Sequence, residues 1–568
     1  MALRIRILTV FFGLLFAALI TRLFFWQVIK SRELSDDARN QHASSSVTSA
    51  PRGNILASDG SFWVLRKNAW LIFADTNKLE VSPEKAANAI APLLAGMDDK
   101  SLLLEETLRI QSLLSKKGAW IPVKQKVDDE TKRNIEALDI KGIEFEAAED
   151  RFYPEASSAA QLLGFVGKDE NGENVGYFGL EGYYNLALEG KPGFFGGEKD
   201  AKGNPILIAG TKQVSAISGV DLATSIDKRI QIAVETKLKE GMEKYGATGG
   251  SVTVMEPSSG QILAMTSFPS FDPINYQDYS DALFRNPVIS DSFEPGSIIK
   301  PIVMAAGLDA GVIDPDTACD ICAGPLRVDR FFIKTWNNEY NPGITMTEVI
   351  IHSDNVGMSF VGQKLGADAL YDYLTKFGIG NLSGIDLQGE AAPPLRKRGT
   401  WNVVDLATAS FGQGVAVTGI QMIRAISAIA NGGYLVTPRV VEKVQGEGWS
   451  ENAAETSKYR IISEKAAAEV TQMMVKAANE GEAKWAKIPG FTIAGKTGTA
   501  QIAVEGHYDE ENTIHSFVGF APWDKPKFVM LVTLKSPSSS PWAAETAAPL
   551  WYSIARELFP YLGVPPSE

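Results

Sequence analysis

A serine and a lysine stand three residues apart in the run Glu294-Pro295-Gly296-Ser297-Ile298-Ile299-Lys300. Pro-Gly breaks the chain, and an apolar stretch of helical character follows. Ser297 is therefore expected at or near a helix N-terminus, with Lys300 on the same helix face. A serine hydroxyl is a poor nucleophile until a base takes its proton. A lysine can be that base if its pKa falls, and burial or a second cation nearby lowers it. The helix N-terminus also favours a developing anion. The rival serine chemistry is a Ser–His–Asp triad. The chain has 4 histidines, His42, His352, His507 and His515, and none lies in a recognisable triad motif. Each reads as a surface or packed polar residue.

Alone, S-x-x-K recurs by chance in any long chain. Two further motifs change its weight. Ser353-Asp354-Asn355 lies between two helix-like segments. Ser353 can relay a proton between Lys300 and a leaving amine, and Asn355 offers an amide donor and acceptor to a substrate peptide bond. The same residue types are also favoured helix caps. Lys496-Thr497-Gly498-Thr499 follows the β-prone run Phe491-Thr492-Ile493-Ala494. An edge strand ending this way is expected to present a cation, hydroxyls and backbone N–H groups along one side. Gly498 lets a substrate backbone approach. Lys496, Thr497 and Thr499 suit a terminal carboxylate. In this order, S-x-x-K, S-x-N and K-T-G form one catalytic set.

The elements that must position this set are legible in outline. Asp227 caps a helix with Ile230, Val234, Leu238 and Met242 on one stripe. Strands over 251–255 and 261–266 flank the turn Pro257-Ser258-Ser259-Gly260. Further strands are expected over 516–521 and 528–534, and a closing helix over 543–558. Strands early and late with helices between predict an α+β domain, an antiparallel sheet flanked by helices. Before it, residues 51–215 mix short β runs at 70–73 and 143–146 with short helices. One helix starts with Ser82 as cap and Pro83 at its first position. Gly193, Gly196, Gly197 and Gly203 mark hairpins and bends. This part reads as an elongated α+β pedestal.

Residues 31–50 read as a polar stalk. Residues 7–29 are apolar apart from Thr9, Thr21, Arg22 and Gln27. At about 1.5 Å per helical residue they just span a hydrocarbon core about 30 Å thick. Arg22 can snorkel to the interface, and Phe24, Phe25 and Trp26 suit an interfacial belt. The alternative is a cleaved signal peptide with its apolar core over 7–20, but no small-x-small site follows that core. The expected division is an anchor over 1–30, stalk and pedestal over 31–215, and a catalytic domain over 216–568.

A chain of 568 residues holds two or three such domains. A net charge of −13 repels polyanions, so no nucleic-acid partner is expected. The 2 cysteines, Cys319 and Cys322, form C-x-x-C. Zinc needs about four ligands, and no second pair exists. A local disulfide or two loop thiols is expected, with no metal and no cofactor. A disulfide would persist outside the cytoplasm.

The three motifs and the anchor together resemble the class B penicillin-binding proteins. Pro51-Arg52-Gly53-Asn54-Ile55, Arg151-Phe152-Tyr153-Pro154 and Gly179-Leu180-Glu181-Gly182 resemble pedestal elements of that family. Ser410-Phe411-Gly412-Gln413-Gly414 resembles its stretch between the second and third motifs. Ala57-Ser58-Asp59-Gly60 departs from its usual Asp-Arg-Asn-Gly. The resemblance implies a penicillin-binding, serine β-lactamase-like fold and a peptidoglycan D,D-transpeptidase in the cytoplasmic membrane, with its catalytic domain outside. It implies Ser297 as nucleophile, Lys300 as base, Ser353 as relay and Asn355 as orienter of the donor stem peptide. Lys496, Thr497 and Thr499 would take the terminal carboxylate, and β-lactams would acylate Ser297. The implied partner is a multi-span SEDS-type glycosyltransferase, with division or elongation proteins; the run from His515 to Pro522 leans to division. A serine β-lactamase and a wall-synthesis scaffold stand as alternatives.

Overall fold

A segment as apolar as the N-terminal one satisfies its backbone in hydrocarbon only by coiling on itself. The computed structural model describes residues 2–35, 43–95, 100–170, 172–199, 205–206, 212–453, 457–504 and 507–567. In it, α1 (Ala2–Phe24) runs on into a π-helical turn, Phe25–Ile29. This 28-residue helix has a mean hydropathy of 2.3 over its most apolar window, none of it buried. It begins at Ala2, earlier than the sequence pattern placed it. The Arg22 guanidinium lies 5.5 Å from the Trp26 ring centre, so the cation and the aromatic belt meet.

The helix belongs to the first of two units, Met1–Arg52 with Glu189–Gly219. In that unit Gly193–Lys199 pairs with Ala43–Thr48, Lys212–Val214 and Pro205–Ile206. The glycine-rich run, expected to form hairpins and bends, holds a strand with antiparallel partners. Residues 43–48, expected in a stalk, are its partner. His42 and Gly203 lie outside the described residues.

The second unit holds Gly53–Leu188 and Val220–Glu568. Its first sheet is built on the strand Phe62–Ala74, which pairs with Ile55–Leu56, Ile121–Val127 and Ile143–Phe152. Asp221–Thr224 continues it, parallel to Ile55–Leu56 and antiparallel to Val441–Gly446. One sheet thus joins segments from both sides of residue 215. A Cβ on Gly53 would lie 1.8 Å from Val220 O, so only glycine fits there. Asn54 beside it donates from N and Nδ2 to Asp221 Oδ1 at 2.6 and 3.0 Å. The helix Pro83–Ala95 starts as expected, with Lys85 N donating to Ser82 Oγ. Ala57 N donates to Ser61 O at 2.7 Å, closing the turn where the sequence departs from the family pattern.

Beyond Asp221–Thr224 the unit continues with α2 (Lys228–Tyr245), whose cap Asp227 accepts from Arg229 N and Ile230 N. Then come β1 (Gly249–Met255), β2 (Ile262–Phe268), α3 (Lys300–Asp309), α4 (Asn355–Leu365) and α5 (Glu464–Glu480). The strands β3 (Ala494–Val504), β4 (His507–Ala521) and β5 (Phe528–Lys535) follow, and α6 (Ala547–Tyr561) closes the domain. The five strands form an antiparallel sheet in the order β2-β1-β5-β4-β3. Alternation splits each strand between two cores. Val252, Phe517 and Val532 pack with Val234, Leu238, Trp551 and Phe559 of α2 and α6. Met255, Val518 and Leu531 pack with Ile302, Val303, Val470 and Met474 of α3 and α5. A sheet covered on both faces reads as continuous apolar sequence, which is the pattern of β5.

The two pedestal motifs meet in space. Arg151 Nε donates to Glu181 Oε1 at 2.8 Å, and Nη2 lies 2.6 Å from the same oxygen. Both side chains are buried. Removing one partner of such a pair strands a buried charge and costs about 3–5 kcal/mol. Arg151→Ala is expected to lower unfolding free energy by that amount, read from denaturant unfolding of the detergent-solubilised chain. Arg151→Ala with Glu181→Gln is expected to recover part of it.

Candidate active site

Gly296 takes φ +53°, a conformation that favours glycine. It opens a 3₁₀ turn, Gly296–Ile299, that leads into α3. Ser297 therefore sits on the turn ahead of the helix, not in its first α-helical turn. Residues three apart eclipse in a 3₁₀ turn, so Lys300 still stands over Ser297. Ser297 is half-buried. Lys300 is fully buried, at 0% exposure.

The hydrogen bonds that Lys300 Nζ makes among the described residues go to the second motif, none to Ser297. It donates to Ser353 O at 2.6 Å and to Asn355 Oδ1 at 2.7 Å, and lies 3.3 Å from Ser353 Oγ. Ser353 holds φ +56°. Asp354 caps α4, accepting from Gly357 N at 2.9 Å. The cap reading of this motif is thus true of Asp354, while Ser353 and Asn355 hold the Lys300 amine. Asn355 was expected to face substrate. Here both ends of its amide are engaged, since Nδ2 donates to Lys334 O at 3.0 Å.

The third motif lies on β3, the edge strand of the sheet. A Cβ on Gly498 would fall 2.9 Å from Ile298 Cγ2 and 3.2 Å from Pro295 O. A Cβ on Gly296 would lie 3.1 Å from Thr499 O. The Ser297 turn and the Lys-Thr-Gly-Thr strand are therefore packed in direct contact, and two glycines permit it. Strand alternation gives Lys496 and Gly498 the α3 face, opposite Val518 and Ser516. Thr497 and Thr499 take the other face, opposite Phe517 and His515. Cation and hydroxyls do not leave the strand on one side, as the sequence reading expected. Lys496 Nζ instead turns back to Thr497 O and Oγ1, both at 3.2 Å. Thr499 Oγ1 accepts from Ala543 N at 3.0 Å.

Lys496 is buried, with 4% exposure. Burial, then the nearby Lys496 ammonium, hold Lys300 well below the ordinary lysine pKa; Glu482 and Asp354 pull the other way. Burial also lowers Lys496, against Glu482. These are the two causes that would let a lysine act as base.

Several supporting residues carry no motif. Glu294 Oε1 accepts from Gly414 N at 2.9 Å, and Gly296 N donates to Gly412 O at 3.1 Å. The Ser410–Gly414 stretch thus braces the turn that carries Ser297. Trp336 Nε1 donates to His352 O, and its ring packs edge-on against Trp542, centres 5.2 Å apart. Glu482 accepts from Thr497 Oγ1 at 2.9 Å. Glu294, beside the first motif, and the Ser410–Gly414 stretch carried a sequence signal. The rest depend on chain segments that meet through the fold. His515 is a buried structural residue between Thr513 and Thr546, its pKa pushed down to about 4 by burial. Cys319 and Cys322 are joined in a disulfide. Among the described residues no group of three or more His, Cys, Asp or Glu side chains could hold a metal ion.

The profile of the penicillin-binding protein transpeptidase domain matches residues 250–557, and that of the penicillin-binding protein dimerisation domain matches 47–224. The chain belongs to the class B penicillin-binding proteins. Stage V sporulation protein D of Bacillus subtilis is 31% identical over 100% of this chain and 86% of its own length. The peptidoglycan D,D-transpeptidase FtsI of Escherichia coli is 29% identical over 79% of this chain and 74% of its own. The crystal structure of a peptidoglycan synthetase from Bifidobacterium adolescentis superposes with a TM-score of 0.74 at 26% identity, covering 93% of this chain and 98% of that one. The fold of this penicillin-binding protein therefore agrees over nearly its whole length.

A neutral Lys300 is needed for it to take a proton, so acylation should rise with pH through the Lys300 pKa. Lys496 lowers that pKa. In Lys496→Ala the acid limb of the labelled-penicillin acylation profile is expected to move up by about one pH unit. An acid limb that stays in place would show that Lys496 does not act on Lys300.

Proposed function

We propose that this chain is a peptidoglycan D,D-transpeptidase that cross-links stem peptides through an acyl-enzyme on Ser297, and that β-lactams acylate the same residue. The observation that carries the reading is the Lys300 amine, buried with no carboxylate partner among the described residues and held over the nucleophile turn by Ser353 and Asn355. As a neutral amine it donates two N–H groups, to Ser353 O and Asn355 Oδ1, and keeps its lone pair for the Ser297 hydroxyl.

Ser297 Oγ attacks the carbonyl of the penultimate D-alanine, and Lys300 takes its proton. The backbone N–H groups of Ser297 and Thr499 face the oxyanion; removal of one such donor costs about 3 kcal/mol of transition-state stabilisation. Ser353 passes a proton to the departing D-alanine amine. An amine from a neighbouring stem peptide then attacks the ester, forming the cross-link and freeing Ser297. Lys496, Thr497 and Thr499 hold the donor's terminal carboxylate, with Gly498 admitting its backbone. Asn355 acts chiefly by fixing Lys300.

The chain is a single-pass membrane protein of the cytoplasmic membrane with its catalytic part outside. Its reaction belongs to cell-wall synthesis at the septum. The working division is an anchor over 1–30, a pedestal over 31–215 and the transpeptidase over 216–568. A multi-span SEDS-type glycosyltransferase, contacted by anchor and pedestal, supplies the glycan strand.

Labelled penicillin added to the solubilised chain is expected to leave a long-lived adduct, mapped by peptide mass to Ser297 and absent in Ser297→Ala. Label on another residue would refute the assignment. Rapid release of hydrolysed penicillin would favour a β-lactamase instead.

A further inference from the structure

Two buried ammonium groups in one cleft raise the question of which keeps its proton. The carboxylates whose charge reaches this pair are Asp354, ahead of α4, and Glu482, after α5. Asp354 is committed to capping α4. Glu482 is half-exposed and one hydroxyl away from Lys496. Thr497 Oγ1 accepts from Lys496 Nζ at 3.2 Å and donates to Glu482 Oε2 at 2.9 Å. Glu482, Lys496 and Thr497, with Ile351, Ala477 and Phe517, also line a cavity of about 10 Å³ behind the strand. Among the described residues Lys300 has no such link. Its hydrogen-bond partners are neutral oxygens, which serve an amine as well as an ammonium.

The anion therefore sits on the Lys496 side of the pair. We propose that Glu482 is a positioning residue for the acylation reaction. Through the Thr497 hydroxyl it holds Lys496 in place as the ammonium that receives the substrate's terminal carboxylate. Lys300, on the far side, is the lysine left free to gain and lose the Ser297 proton. This rests on the Ser297–Lys300 reading above. It also gives Thr497 a role beyond carboxylate binding, as the link between Lys496 and Glu482.

The test is the pH profile of acylation by labelled penicillin, on the full detergent-solubilised chain. Glu482→Gln keeps an oxygen to accept from Thr497 but removes the charge. Without that charge Lys496 loses its proton at lower pH, so the alkaline limb is expected to move down by about one pH unit. Above that limb the variant should acylate about tenfold more slowly than wild type. Glu482→Asp is expected to restore much of the wild-type limb. Thermal unfolding of each variant, followed in parallel, identifies any loss of fold. A Glu482→Gln profile that superimposes on a Ser297-labelled wild type would overturn this inference alone. A wild type that carries no label on Ser297 would overturn the proposed function, and this inference with it.

Discussion

Two ammonium groups are confined out of water in one cleft, and the site's chemistry follows from that constraint. Water stabilises a charged lysine strongly, and a protein interior does not. When two such groups also repel each other, the pair sheds a proton more readily than either would alone. The protein places Lys300 and Lys496 in that situation without a direct ion pair to either among the described residues. Lys300 is left with neutral oxygens from Ser353 and Asn355. The proposed lysine base would need no histidine, and His515 serves packing between strand and helix instead.

The rest of the fold serves to hold the two lysines together. Lys300 arrives on α3, whose Ile302 and Val303 are buried under one face of the sheet. Lys496 arrives on the edge strand of that sheet, kept flat against the Ser297 turn by Gly296 and Gly498. The other face is sealed by α2 and α6 around Trp551 and Phe559. The pedestal is tied in by backbone pairing, since Asp221–Thr224 sits between Ile55–Leu56 and Val441–Gly446. Tyr184 and the backbone N–H groups of Val440 and Val441 all donate to buried Asp386, a second tie between the two parts.

Much of this was legible because it is local. Asp227 and Ser82 as caps, the hairpin of β1 and β2 and the apolar run of β5 each follow from a few neighbouring residues. The three motifs were legible as a set. Their internal geometry was not. Period-two alternation sends Thr497 and Lys496 to opposite faces, yet the lysine folds back to the threonine, which strand pattern alone does not show. Asn355 looked free for substrate because Lys334 O, its second partner, comes from a loop remote in the chain. The Arg151–Glu181 pair was present as two unrelated motifs. The strand Ala43–Thr48 was hidden because its partner is glycine-rich and carries no β signal.

The state of one amine decides the mechanism. Selective isotopic labelling of lysine side chains, with Lys300→Arg to assign the signal, allows the Lys300 amine to be titrated by NMR in the solubilised chain. The expected result is a midpoint far below 10.5, the ordinary lysine value. A midpoint close to 10.5 would contradict a lysine base and the convergence on which the site is built.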